Sequence, residues 1–515
     1  MNNLYNKTNR LIFFEKNIII LFLVFFSSRV FYYSFFDINF DVWTLDIYWQ
    51  YFPKDLLKND LLKSIIYNHY QPPLLNLIVG VLMKLTQNFL LYLQLLYLFC
   101  GLCSSIFIYL ICVYFNISKK ISLSITIILM ILPTTILYEN HLYKEYLTFF
   151  FLTWLFYFSL KIFRKKNSFF DIVNIALSLS LLSITRETFH IFWGYIFLIF
   201  IFKKIDLKKN ILLWVIFSMI TLPFYLKNFI MFNKFALNAA STYEHLSQKI
   251  DYIKEMDDSN RHTMIREKII GSHEDYKKFK EKTSILYDIP INRSAYDYAN
   301  ILNYNYKFNN NLLKSNTWFN EVWLEVSIHR KYDFFLILKE YPSLYLLNVL
   351  NAFSRHLFSS SDYFNFTKPN ADKMKFMIKL SDCIKLTPVC VYDYGFDWKK
   401  TSIGGNEYLG MDTGPLNYKE KIIFSLQYTN FLLVIIYIYL LVELFRLIIF
   451  KKNRINNKLI IFWLLTFVFI FLALVIFEDG EIARHRFPFD YLNFVIFLRQ
   501  INMKFFNKSR NTIEE

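Results

Sequence analysis

Long apolar blocks, separated by short polar connections, dominate this chain. They cover 17–36, 90–115, 121–138, 146–163, 169–184, 188–202, 211–231, 422–450, 457–477 and 488–503. A helix crosses the hydrocarbon of a bilayer with about 20 apolar residues. The pattern therefore predicts an all-α polytopic membrane protein with about ten transmembrane helices, the shorter ones completed by neighbouring residues. Block 17–36 follows Lys7, Arg10 and Lys16, as a signal peptide would, but Phe31, Tyr32 and Tyr33 stand where small cleavage-site residues are needed. It reads as an uncleaved anchor.

The cations fix the direction of threading. With the N-terminus inside, every second connection carries them: Lys119 and Lys120, Arg164 to Lys166, Lys203 to Lys209, Lys451 to Arg454, and the tail with Lys504, Lys508 and Arg510. That is the positive-inside pattern, and one extra span would invert it. Both termini are then cytoplasmic. Stretch 72–86 is apolar but short and reads as an interfacial or partly inserted helix. Stretch 334–358 contains Lys339, Glu340, Asn348, Arg355 and His356, and reads as an amphipathic helix lying on the membrane. Three regions follow: a transmembrane module over 1–231 with a first outer loop at 37–89; an extracytoplasmic domain of mixed helical and irregular structure over 232–421; and a C-terminal transmembrane part over 422–515. Within the middle region 244–282 is highly charged with helical character, and the glycines at 404, 405, 410 and 414 mark turns.

Composition sharpens this picture. Of 515 residues 20% are aromatic and only 19% charged, below the ~25% of soluble chains. The net charge, 58 − 41 = +17, raises the question of nucleic acid, but the cations sit beside apolar blocks where topology demands them, and no nucleic-acid partner is expected. Cys100, Cys103 and Cys112 share one apolar block and act as small hydrophobes. Cys383 and Cys390 can pair if their segment is extracytoplasmic. Charges are sparse at mid-membrane and gather at the outer rim, so chemistry is expected there.

The first outer loop carries Asp37, Asp41 and Asp46, an aromatic run of Trp43, Tyr48, Trp49 and Tyr51, and then His69, Gln71 and the Pro72-Pro73 pair. Asp46 suits a general base and equally a helix N-cap. The aromatics suit stacking on sugar faces or an interfacial belt. At this point the chain resembles the GT-C glycosyltransferases, in particular the bacterial protein-mannosyltransferase-like and aminoarabinose-transferase-like enzymes. Asp46 and Tyr48 followed by Gln71-Pro72-Pro73-Leu74 look like that family's first loop. Tyr143-Lys144-Glu145 is similar to its second acidic site, and Thr185-Arg186-Glu187 to a basic turn between spans. Glu481-Ile-Ala-Arg484-His485-Arg486-Phe487-Pro488 resembles its late basic turn, and Glu340-Tyr-Pro342 its interfacial helix. The likeness covers 1–231 and 422–503 in layout. Ile47 replaces the second acid of the family's Asp-Glu pair, which leaves Asp41 as a competing base; 232–421 has no counterpart, which leaves the acceptor open.

The resemblance implies transfer of a sugar, with inversion, from a polyprenyl-phosphate donor to a lipid, glycan or protein acceptor at the outer face of the bacterial cytoplasmic membrane. Asp46, Glu145 and Asp41 are the catalytic candidates. Arg186, Arg484, Arg486 and Lys144 are candidates for the donor phosphate, since planar guanidinium forks match phosphate oxygens. His69, Gln71, Tyr48 and His485 are candidate substrate contacts. Paired carboxylates leave a divalent cation, Mg or Mn, open. Two rival readings stand beside this one: a transporter or flippase of lipid-linked glycans, and a non-catalytic membrane assembly protein.

Overall fold

The computed structural model describes residues 2–45, 51–52, 54–163, 168–238, 335, 338–339, 342–357, 364–387, 429–449, 455–477 and 482–505. Each of the ten apolar blocks falls on a helix. They are α1 (Asn2–Phe36), α5 (Phe89–Tyr114), the pair α6 (Lys119–Ile131) and α7 (Pro133–Glu139), α8 (Lys144–Phe163), α9 (Phe169–Thr185), α10 (Ile191–Phe202) and α11 (Leu207–Phe232), and then α15 (Phe431–Ile449), α16 (Ile455–Phe477) and α17 (Ile482–Phe505). Short helices α2 (Lys54–Asn59), α3 (Leu61–Tyr67) and α4 (Pro73–Leu85) fill the first loop. Among the described residues six helices are long and apolar enough to cross a membrane, or seven if the bent α6–α7 pair is one span. The chain is thus a mostly helical, multi-pass membrane protein. With 12 residues, α10 is about 18 Å long, well short of a bilayer core. In α17, Arg486, Asp490 and Arg499 dilute the apolar character.

Helix α8 is the hub. It is apolar on nearly every face, as a helix surrounded by other helices must be, and packs against α5, α9, α16 and α17. Phe149, Leu152, Leu155 and Phe156 are buried in the large common core. Gly194 lets α10 approach α11 so closely that a methyl group there would overlap the Phe217 ring.

The block at 121–138 breaks at Leu132-Pro133, with a bend of 58°. Proline has no N–H to give to the preceding turn, so the last carbonyls of α6 lose their helical partners. In an apolar setting each must be satisfied from within the protein. Side chains do this: Thr135 Oγ1 donates to Leu129 O at 2.7 Å, Arg29 Nη1 to Met130 O at 3.2 Å and Tyr32 Oη to Ile131 O at 2.9 Å. Arg29 also forms a two-pronged pair with Glu139, at 2.8 and 2.6 Å, and lies over the Phe25 ring. Tyr146 Oη donates to Glu139 Oε2 at 2.6 Å. This buried network ties α1, α6, α7 and α8 together just below the second loop.

Of the expected extracytoplasmic domain, three helices are described. α12 (Pro342–His356) lies inside the stretch expected to be amphipathic; it buries Ala352 and His356 against α16 and α17, and leaves Leu346, Leu350 and Phe353 exposed. α13 (Phe364–Lys373) and α14 (Lys375–Ile384) pack on α7 and on the end of α1, where Met374 and Ile378 meet Tyr32, Ile136 and Leu137. Stretch 244–282, the glycine-rich turns at 404–414 and Cys390 lie outside the described residues, and with Cys390 its expected pairing; among the described residues Cys383 has no disulfide partner.

Candidate functional site

The two outer loops are joined by backbone. Asp37 takes a left-handed φ of 49° that turns the chain as α1 ends. The Asp41 N–H then donates to Asn140 O at 2.8 Å, and Leu142 N–H to Asp41 O at 2.9 Å. This bridge sets Asp41 beside His141, with Asp41 Oδ2 at 3.8 Å from His141 Nδ1. Asp41 Oδ1 accepts the Trp43 N–H at 3.1 Å and starts the turn Trp43–Leu45. Burial pushes the Asp41 carboxyl up to about 6, with the Trp43 N–H pulling the other way. His141 is buried and stacked on Tyr143, with ring centres 5.5 Å apart.

The second loop is held open by borrowed hydroxyls. Tyr97 Oη donates to Tyr143 O at 2.6 Å and accepts the Tyr143 N–H at 3.1 Å. Tyr51 and Thr44 both donate to Leu142 O, at 2.9 and 3.2 Å. Immediately afterwards α8 begins, so Lys144 and Glu145 occupy its first turn, where a carboxylate is favoured by the helix dipole. Glu145 is fully buried.

The turn after α9 meets them. Arg186 is buried, and its Nη2 lies 3.7 Å from Glu145 Oε1, beyond hydrogen-bond range. Among the described residues neither Nη1 nor Nη2 of Arg186 has a hydrogen-bond partner. Lys144 Nζ reaches both Glu187 oxygens, at 3.1 and 3.2 Å, and Gln71 Oε1 at 3.2 Å. Burial acts to raise the Glu187 carboxyl, but Lys144 and Arg186 outweigh it and hold the group below its ordinary value.

Gln71 is placed by Asn68, whose Oδ1 accepts the Gln71 N–H at 3.2 Å, and by Pro73 as first residue of α4. His69 is buried against the Phe232 ring, 5.1 Å away. Lys227 on α11 reaches over to this loop and donates to Ile65 O and Asn68 O, at 3.2 and 2.5 Å. Lys227→Met keeps the aliphatic stem and removes both bonds. We expect faster amide exchange across 61–71 in that variant, a local loss of about 2 kcal/mol; unchanged protection would mean that the loop is held elsewhere.

Arg186, Glu145, Lys144, Gln71 and Asp41 are thus gathered at one end of the bundle. Arg486 belongs to a second network: its Nε donates to Asp490 at 2.9 and 3.1 Å, its Nη1 to His356 O, and Tyr437 Oη also donates to Asp490, at 3.1 Å. Its neighbour Phe487 stacks on Tyr138 at 4.1 Å. Asp46 and Tyr48 lie outside the described residues, as do the side chains of Arg484 and His485. Among the described residues no three His, Cys, Asp or Glu side chains form a metal-binding group.

No family model, curated protein or solved structure matches this chain.

From the charged end an apolar groove of about 620 Å³ runs along α4, α5, α8 and α9. Leu74 and Leu147 line it near the charged loops, and Phe107 and Phe158 line it deeper. Leu74 lies just after Gln71 and Leu147 just after Glu145 in the chain, so the groove begins on the same helices whose ends carry the polar site. Two participants had not been singled out from sequence, His141 and Glu187. Glu187 stood inside the Thr185-Arg186-Glu187 motif and was passed over for its basic neighbour. His141 had one signal: it interrupts a short loop between apolar blocks, two residues before Tyr143-Lys144-Glu145.

Proposed function

We propose that this chain is a GT-C-like membrane glycosyltransferase that moves a sugar from a polyprenyl-phosphate donor to a lipid, glycan or protein acceptor. The observation that carries the reading is a buried guanidinium, Arg186 at the end of α9, beside the Glu145 carboxylate in the first turn of α8, two helices that also line an apolar groove. A donor of this class has two unlike ends, an anionic phosphate and an isoprenoid tail. Such a site offers each a matching surface.

The proposed reaction needs little else. A carboxylate of the first loop, Asp41 or Asp46, takes the proton of the acceptor hydroxyl as its oxygen attacks the anomeric carbon. The bond from that carbon to the phosphate oxygen breaks, and the phosphate leaves with the electron pair. Arg186, with Lys144 nearby, balances the charge that grows on it. Glu145 orients the acceptor and holds Arg186. The proposal includes ten crossings of a bacterial cytoplasmic membrane, both termini in the cytoplasm, and the site on the outer face.

One observation favours the rival reading of transport: the bent pair α6–α7, with Arg29 and Glu139 buried together near the bend. Broken helices and buried charges are features of transporters. A deletion strain separates the two. For the transferase, a surface glycan or lipid loses one sugar, the polyprenyl-phosphate sugar accumulates on the outer leaflet, and Arg186→Ala fails to restore the profile. Accumulation of the donor on the inner leaflet supports transport, and an unchanged profile overturns both.

A further inference from the structure

Helix α14 has two apolar faces, and only one of them is covered by protein. Ile378 and Ser381 point inward, with Ile378 against Tyr32, Ile136 and Leu137. On the other side Phe376, Leu380 and Ile384 are 73%, 48% and 59% exposed. Their spacing of four residues places them in one stripe along the helix. Lys375 and Lys379 are exposed beside it. Over 372–385 four lysines face two aspartates. Lys373 pairs with Asp37 at 2.8 Å, and Lys385 with Asp382 at 3.3 Å and Thr134 at 3.2 Å. Lys373 and Lys385 thus reach the ends of α1 and α7, while Lys375, which borders the stripe, pairs locally with Asp372 at 3.4 Å across a solvent-facing turn.

Its height in the bundle says what the stripe meets. α14 packs at the level of Tyr32 and Phe36, the last turns of α1. There α1 presents Val30 and Phe35, 62% and 76% exposed, as a membrane-crossing helix presents side chains to lipid. The stripe on α14 therefore lies at the level where the span ends and hydrocarbon gives way to headgroups. An apolar stripe edged with lysine is the pattern of a helix lying in that boundary. Positive charge there is attracted to anionic lipid.

We propose that α14 is an amphipathic anchor that lies in the surface of the bilayer, with Phe376, Leu380 and Ile384 in the acyl chains and Lys375 and Lys379 on anionic headgroups. This holds whether the protein is a transferase or a transporter.

Tryptophan in place of Phe376 or Leu380 reports the surroundings. The full chain in nanodiscs is compared with its parent, in phosphatidylglycerol or phosphatidylcholine brominated near the headgroup end of the acyl chains. The extra emission of Phe376→Trp and Leu380→Trp is expected to be blue-shifted and roughly halved by the bromine, and that of Asp372→Trp is not. Adding Lys375→Glu with Lys379→Glu weakens the quenching in phosphatidylglycerol and leaves that in phosphatidylcholine unchanged. Red-shifted, unquenched emission would place the stripe in water. Blue-shifted but unquenched emission would mean that protein covers it. Either result overturns the proposal, and charge reversal without effect in phosphatidylglycerol removes its anionic component.

Discussion

Glu139→Gln is expected to cost about 3–5 kcal/mol of stability, seen as a lower unfolding midpoint of the detergent-solubilised protein. The reason is what the substitution leaves behind. Arg29 is 3% exposed and gives two of its nitrogens to Glu139; without the carboxylate its charge stays buried with neutral groups beside it, the Met130 carbonyl, the Ser28 hydroxyl and the Phe25 ring. Taking both charges away removes that penalty, so Arg29→Met combined with Glu139→Leu should recover most of the loss. A double variant as unstable as the single one would show that the pair is not energetically coupled. Gly101→Ala strikes the same place by crowding, because the added methyl overlaps Glu139 Oε2 and Tyr146 Oη. Since Glu139 is two residues from His141, these variants should also disturb the Asp41 bridge.

The helices of this chain are legible because lipid imposes one rule, and the sequence obeys it in long apolar runs. What the runs do not contain is how their ends meet. The break at Pro133 lies inside a block that reads as continuous, since proline adds no polarity to the pattern. The side chains that repair it, Arg29, Tyr32 and Thr135, come from both sides of the break, two of them about a hundred positions away. A lone arginine in an apolar run, such as Arg29, calls for a buried partner, but the run itself does not point to Glu139. The site divides in the same way. Glu145, Arg186 and Lys144 stand out because charge at the mouth of a span is conspicuous. The partnership of Asp41 with His141 depends on backbone bonds between two loops, and no local pattern encodes that. Arg486 carries a charge as conspicuous as that of Arg186, and the sequence does not show that Asp490, one turn further on, pairs with it.

Glu145→Gln is expected to lower stability, since Arg186 stays buried without its balancing carboxylate, and to lower glycan transfer by the protein that folds about a hundredfold to ten-thousandfold. Glutamine keeps the shape, but Arg186 loses the carboxylate 3.7 Å away that balances it in the resting state. The guanidinium should then hold the anionic donor more tightly while turning it over more slowly, so KM for the donor falls together with kcat. A structural role would lower the amount of folded protein and leave both constants of the remainder unchanged. The Asp41 and Asp46 variants assign the base, and the pH profile of transfer is read together with them. Asp41 sits at about 6 instead of 3.8, so it becomes able to accept a proton only as the pH rises through 6, and transfer should climb there. Stability runs the other way. The folded state binds this proton more tightly than the unfolded chain does, so the Asp41 contribution falls as the pH rises from about 4 to about 6. If Asp41 is the base, Asp41→Asn abolishes both the climb and the transfer. If Asp46 is the base, Asp41→Asn keeps transfer, and Asp46→Asn removes it. Transfer that survives in Glu145→Gln, Asp41→Asn and Asp46→Asn alike would exclude carboxylate catalysis at these loops and leave transport as the better account of the groove and of the buried charges beside it.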